Sequence, residues 1–148
     1  MLAKQKLLTI TANGCLNSYH AMVIRKMGTV MQQSDEFKQL CNEAKSRIQE
    51  LNVDEVKNTL ETEGCDLLID VRDADEYEKG YINGAVHLSK GWLEAKIHQL
   101  TDNKSASIVL YCGGGNRSAL AADNLQQMGY SNVYSMRGGY KEWMKQGF

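Results

Sequence analysis

From residue 34 onward the apolar positions fall into two alternating patterns. Ser34 is placed to cap a helix, with Asp35 and Glu36 in the first turn, where the helix dipole favours acids. Phe37, Leu40, Cys41, Ala44, Ile48 and Leu51 then recur at three- and four-residue spacing, which predicts one amphipathic helix. A second, shorter helix is expected from Asp54 to about Glu61, with Val56 and Leu60 facing inward and Gly64 ending it. The pattern next changes to short apolar runs bounded by turn residues. Asp66 to Val71, Ser107 to Tyr111 and Asn132 to Met136 each read as a strand buried on both faces. Helical stretches alternate with them, at about Trp92 to Leu100, Arg117 to Met128 and Tyr140 to Lys145. Strands alternating with helices of this length predict an α/β domain: a central parallel β-sheet with helices on both faces.

Composition narrows the picture. The chain has 148 residues, one domain's worth, and a net charge of −1. That balance excludes a global basic field for nucleic acid, and no apolar run approaches the ~18 residues of a membrane span. There is no proline, so proline-rich recognition segments are excluded. Charge is unevenly spread: residues 1–30 carry Lys4, Lys6, Arg25 and Lys26 and no acid. Residues 1–33 are therefore expected to be a basic N-terminal extension ahead of a domain at 34–148. Leu7 to Ile10 is too short for a secretory core, and a single arginine argues against a transit peptide. Met31 offers an internal translation start. The four cysteines, Cys15, Cys41, Cys65 and Cys112, are never closer than 24 residues. No paired zinc spacing or C-x-x-C exists, and a reduced, cytoplasmic protein is expected.

One of these cysteines stands in a special setting. Tyr111-Cys112-Gly113-Gly114-Gly115-Asn116-Arg117-Ser118 joins a buried strand to a helix. Cys112 falls at the carboxyl end of its strand, where open α/β sheets place ligands. The three glycines allow a tightly curled loop whose N–H groups converge as an anion-binding nest. The following helix adds free N–H groups and its positive dipole end, Asn116 or Ser118 can cap it, and Arg117 adds a full charge. A helix N-terminus and nearby cations favour thiolate over thiol. The segment thus reads as a nucleophile set in a cradle for negative charge.

The stretch from about Asp66 to Phe148 resembles a single rhodanese domain. Leu68-Ile69-Asp70-Val71-Arg72, Glu76-Tyr77 and Gly80-Tyr81-Ile82-Asn83-Gly84-Ala85 resemble the family's opening block. Cys112 with Arg117 five positions on resembles its active loop, and Gly138-Gly139-Tyr140 with Trp143 and Gly147 its closing block. Tyr81 and Asn83 stand where the family usually has His and Pro, and Gly113 where many active members carry a charge. The resemblance implies a sulfurtransferase: Cys112 takes a sulfane sulfur from thiosulfate or a persulfide, holds it as a persulfide, and yields it to a thiol, cyanide or a protein acceptor. It implies no metal and no organic cofactor.

Other readings are carried alongside. Rhodanese-like domains also serve as non-catalytic binding or regulatory modules, typically with the cysteine replaced. Cysteine phosphatases and arsenate reductases use a C-x5-R loop, whereas four residues separate Cys112 from Arg117 here. Three residues are accessory candidates. Arg72 either binds an anion or makes a salt bridge with Asp73, Asp75 or Glu76; Asp70 fixes loop backbone or pairs with Arg72; Arg137 lies past the third strand and supplies rim charge. Cys41 is expected in the core, and His20, His87 and His98 form no ligand cluster.

Overall fold

A computed structural model describes residues 32–148. Residues 1–31, including Cys15, His20 and Met31, lie outside the described residues, and with them nearly all of the expected basic extension. The elements of the described unit run α1 Asp35–Lys45, β1 Gln49–Leu51, α2 Val53–Thr62, β2 Leu67–Asp70, α3 Ala74–Glu78, β3 Val86–His87, α4 Lys90–Lys96, β4 Ile108–Tyr111, α5 Asn116–Gln127, β5 Val133–Met136 and α6 Gly139–Lys145, with a 3-10 turn at Ile97–Gln99 after α4.

The five strands form one sheet in the order β1-β5-β4-β2-β3, and every neighbouring pair is parallel. β4 is central and all four of its residues are buried, as its unbroken apolar run requires. Alternation along the strands sorts the core into two layers. Ile69, Val71, Ile108, Leu110, Cys112 and Val133 face α4 and α5, while Leu68, Val109, Tyr111 and Met136 face the side that holds Val53 and Val56 of α2 and Tyr140 and Trp143 of α6. α1 lies against α5. The expected parallel sheet with helices on both faces is therefore present.

Four elements depart from the sequence reading. The predicted first helix stops at Lys45, so Ile48 and Leu51 are not part of its stripe. Gln49–Leu51 is instead an edge strand, in register with Tyr134–Met136. The helical spacing continued by coincidence, because Ile48 packs into the layer under α5 and Leu51 into the opposite one. The five-residue α3 and the two-residue β3 were too short to show a period of their own.

The chain leaves β2 toward β3 and leaves β4 toward β5, in opposite directions along the sheet. A crevice therefore opens between the carboxyl ends of β2 and β4, the place where such sheets bind ligands. The β2 side is locked by a buried ion pair. Asp70 is fully buried and Arg72 nearly so, with Arg72 Nη2 2.6 Å from Asp70 Oδ2 and Nε 3.0 Å from both carboxylate oxygens. The same guanidinium donates to the Gly80 carbonyl at 2.7 Å and lies 4.1 Å from the Tyr140 ring centroid. His87 Nε2 lies 2.9 Å from the Arg72 carbonyl, and Tyr111 Oη accepts the Ile82 N–H at 3.1 Å. Arg72→Met removes the cation that partners the buried Asp70 side chain. It should cost about 3–5 kcal/mol, read as a lowered urea midpoint at unchanged slope, and Asp70→Asn in the same chain should recover part of that loss.

Candidate active site

Cys112 is the first residue past β4, and strand alternation turns its side chain toward α5. Its Sγ is 3.1 Å from the Gly115 N–H and 3.4 Å from the Ser118 N–H, and both donate to it. Ser118 Oγ is 3.5 Å away. Gly115 is the N-cap of α5 and Ser118 its third residue, so the sulfur itself satisfies helix N–H groups that a side chain would otherwise cap. This corrects the expectation that Asn116 or Ser118 caps the helix. Asn116 is already helical, and its side-chain oxygen accepts from Lys45 Nζ of α1 at 2.8 Å. Cys41, also on α1, is buried with its Sγ 4.0 Å from the Asn116 carbonyl, and burial raises its thiol against the opposing charge of Lys45.

The three glycines have separate reasons. Only Gly115 has a positive φ, +102°, and a Cβ there would press on the Gly138 N at 3.3 Å. A Cβ on Gly113 would meet Arg117 Nη2 at 3.2 Å, so the arginine folds over that glycine. Gly114 is exposed, and a Cβ there would meet nothing.

Arg117 does not stand as a bare charge. It is bidentate with Glu76 of α3, at 2.7 and 2.9 Å, and 3.8 Å from Asp73. The pair bridges the crevice from the β4 side to the β2 side. The Arg117 hydrogen bonds hold the Glu76 carboxyl down at about 2, with burial working against them, and Glu76 in turn holds the guanidinium firmly charged. Sequence reasoning placed Glu76 in a recognisable block without giving it this partner.

A second contact was also unforeseen. The Cys112 carbonyl accepts the Tyr140 N–H at 2.7 Å and the Gly113 carbonyl accepts the Lys141 N–H at 3.0 Å. The amino end of α6 thereby docks on the loop. A Cβ on Gly139 (φ +60°) would collide with the Cys112 carbonyl oxygen and lie 2.7 Å from the Gly113 carbonyl carbon. The Gly138-Gly139 pair was the visible signal.

The accessory candidates separate. Of the roles open to Arg72, the structure shows pairing with Asp70, not with Asp73, Asp75 or Glu76, and its guanidinium is enclosed. Arg137 is exposed on the same sheet edge, its N–H donating to the Leu51 carbonyl at 2.8 Å. A cavity of about 580 Å³ lies at the amino end of the sheet, lined by Cys65, Asp66, Ser107 and Asn132 among others, and holds none of the candidate residues. Among the described residues no His, Cys, Asp and Glu side chains gather as a metal site needs.

The sequence model of the "Rhodanese-like domain" family matches residues 52–146. The chain belongs to the rhodanese-like domain family. The "Putative sulfur carrier protein YrkF" of Bacillus subtilis (strain 168) is 30% identical over 102 residues, 69% of this chain and 54% of that protein. The chain spans a little over half the length of the curated relatives it matches first. Among solved structures, a Rhodopseudomonas palustris CGA009 protein of unknown function, described as a "Possible Tyrosine Phosphatase", superposes with a TM-score of 0.68 at 31% identity, covering 81% of this chain and 97% of that one. The human single-domain sulfurtransferase TSTD1 shares the rhodanese-like fold at a TM-score of 0.60 and 23% identity, over 67% of this chain and 97% of its own.

Two measurements probe this geometry. Gly139→Ala should cost on the order of 3 kcal/mol through strain and collision, while Gly114→Ala should stay within about 0.5 kcal/mol; thermal unfolding of both variants compares them. Glu76 binds its proton less readily when folded than when unfolded. Its contribution is therefore complete above its ordinary value of 4.5 and is lost as pH falls through about 2. Glu76→Gln should lower the urea midpoint at neutral pH and flatten its decline across that acid window.

Proposed function

We propose that this chain is a sulfurtransferase that carries a sulfane sulfur on Cys112. The observation that carries the reading is the convergence of the Gly115 and Ser118 N–H groups on the Cys112 sulfur, at the mouth of the crevice between β2 and β4. Thiolate at Cys112 attacks the outer sulfur of a donor. With thiosulfate a new S–S bond forms, the old one breaks, and sulfite leaves with the bonding pair. The charge then rests on the terminal sulfur of a Cys112 persulfide, where N–H donors and the dipole end of α5 are suited to hold it. A cyanide, a thiol or a protein thiolate attacks that terminal sulfur and restores the Cys112 thiolate, a two-step displacement with ping-pong kinetics.

The chain's residues divide the work. Gly115 gives the loop its turn, Gly113 makes room for Arg117, and Gly114 leaves the outer side of the loop open to a small donor. Arg117, held by Glu76, lends the rim a fixed cation whose net field is largely balanced. The anion-binding capacity is thereby assigned to the backbone. The name of the sulfur carrier relative supports the carriage of sulfur by this chain. We assign the function to the unit at 34–148 and place it in a reducing, cytoplasmic setting, where the nucleophile stays a thiol. No helix among the described residues is long and apolar enough to cross a membrane.

The phosphatase description of one structural neighbour is a competing reading. Four intervening residues between Cys112 and Arg117 make a smaller ring than the C-x5-R loop that wraps a phosphate. Incubation with thiosulfate should add one sulfur to Cys112, seen by intact mass and peptide mapping, and cyanide should release it as thiocyanate. Cys112→Ser should reduce both to background. Phosphomonoester turnover that disappears in Cys112→Ser, with no sulfur bound by the wild type, would replace sulfur transfer with hydrolysis.

A further inference from the structure

We propose that Ser135 is a positioning residue for Cys112, acting through Ser118. Ser135 lies on β5 and is fully buried on the core side under α5, the layer that also holds Val133 and Leu110. An apolar residue would fill that position at lower cost, because a buried hydroxyl must find a partner. Its partner is Ser118: Ser135 Oγ donates to Ser118 Oγ at 2.8 Å. Ser118, also fully buried, is the residue whose hydroxyl and N–H both face the Cys112 sulfur.

Counting hydrogens gives the role. A hydroxyl has one hydrogen to give and two lone pairs to offer. Ser135 spends its hydrogen on Ser118, which fills one lone pair there and leaves the Ser118 hydrogen free to donate. That hydrogen has two acceptors within reach, the Gly115 carbonyl at 3.3 Å and the Cys112 sulfur at 3.5 Å. When the sulfur is neutral, the carbonyl is the better acceptor. When the sulfur is a thiolate, the hydrogen turns to it and joins the two N–H donors. Donation from Ser135 polarises the Ser118 hydroxyl and makes it the stronger donor at that moment. Ser135 itself never touches the reacting atoms.

The catalytic side of this inference rests on the sulfur-transfer reading, whereas its chemical side does not. The rate of iodoacetamide alkylation of Cys112 at neutral pH reports the thiolate directly. Ser135→Val and Ser135→Thr have the same shape and the same crowding, and differ only in the hydroxyl. Ser135→Val should alkylate roughly 5- to 10-fold more slowly than wild type, and Ser135→Thr within about 2-fold of it. In thiosulfate:cyanide transfer, Ser135→Val should lose kcat by a similar factor with KM little changed. Equal alkylation rates for Val and Thr would overturn the proposal. Should the added methyl prevent folding, Ser135→Ala is made alone and in the Ser118→Ala chain. It should slow alkylation in the first case and have no further effect in the second; equal slowing in both would also overturn it. A wild type that follows this alkylation pattern yet moves no sulfur supports the role of Ser135 and overturns the sulfur-transfer reading alone.

Discussion

The site depends on one close approach between two pieces of backbone. Two carbonyls of the Cys112 loop point away from the sulfur and into the amino end of α6, where the Tyr140 and Lys141 N–H groups take them. With those two carbonyls held on the outside, the Gly115 and Ser118 N–H groups face the sulfur on the inside. That polarity is what turns a strand-to-helix turn into a cradle for negative charge. Gly139 makes the approach possible, since any side chain would occupy the space of the Cys112 carbonyl. The loop and α6 are thus a single device built from two distant parts of the chain.

Charge around this device is arranged more sparingly than its residue types suggest. Two arginines border the crevice, and each is committed to a carboxylate. Arg72 is held by Asp70 inside the fold, and Arg117 by Glu76 across the crevice. The first pair fixes the β2 side and supports Gly80 and Tyr140; the second ties α3 to α5. Both act first on geometry. In the proposed sulfur transfer it is the N–H groups at the head of α5, and the dipole behind them, that would meet the donor; fixed in place by the fold, they would need little reorganisation as charge shifts between sulfurs.

The sequence disclosed the parts of this structure that rest on local pattern. The four-residue strands announced themselves as short, mostly apolar runs, unbroken in β4 and interrupted only by Asp70 in β2 and Ser135 in β5, and Cys112 with its glycines marked the loop because strand, glycines and helix are consecutive. Pairings between distant segments were not legible. Nothing local says that Glu76 meets Arg117, that Lys45 reaches Asn116, or that Ser135 lies under Ser118, since each joins residues at least 17 positions apart. β1 was misread for a related reason: a three-residue edge strand has too few positions to distinguish its alternation from the tail of a helix. The glycines gave a half-signal. Their type showed that space or a positive φ was needed, but Gly113 and Gly114, which have no positive φ, needed the structure to tell them apart.

The placement of β1 at the sheet's edge carries a kinetic consequence. Gln49 pairs with Tyr134, so this strand finds its neighbour only across a loop of some eighty-five residues. Its partner β5 is held on its other side by β4. Closing a loop that long is entropically only modestly dearer than closing one half its length, yet it gives the sheet a pairing of long range, and a high share of such contacts slows folding. α1, which precedes β1 and rests on α5, adds contacts of similar range.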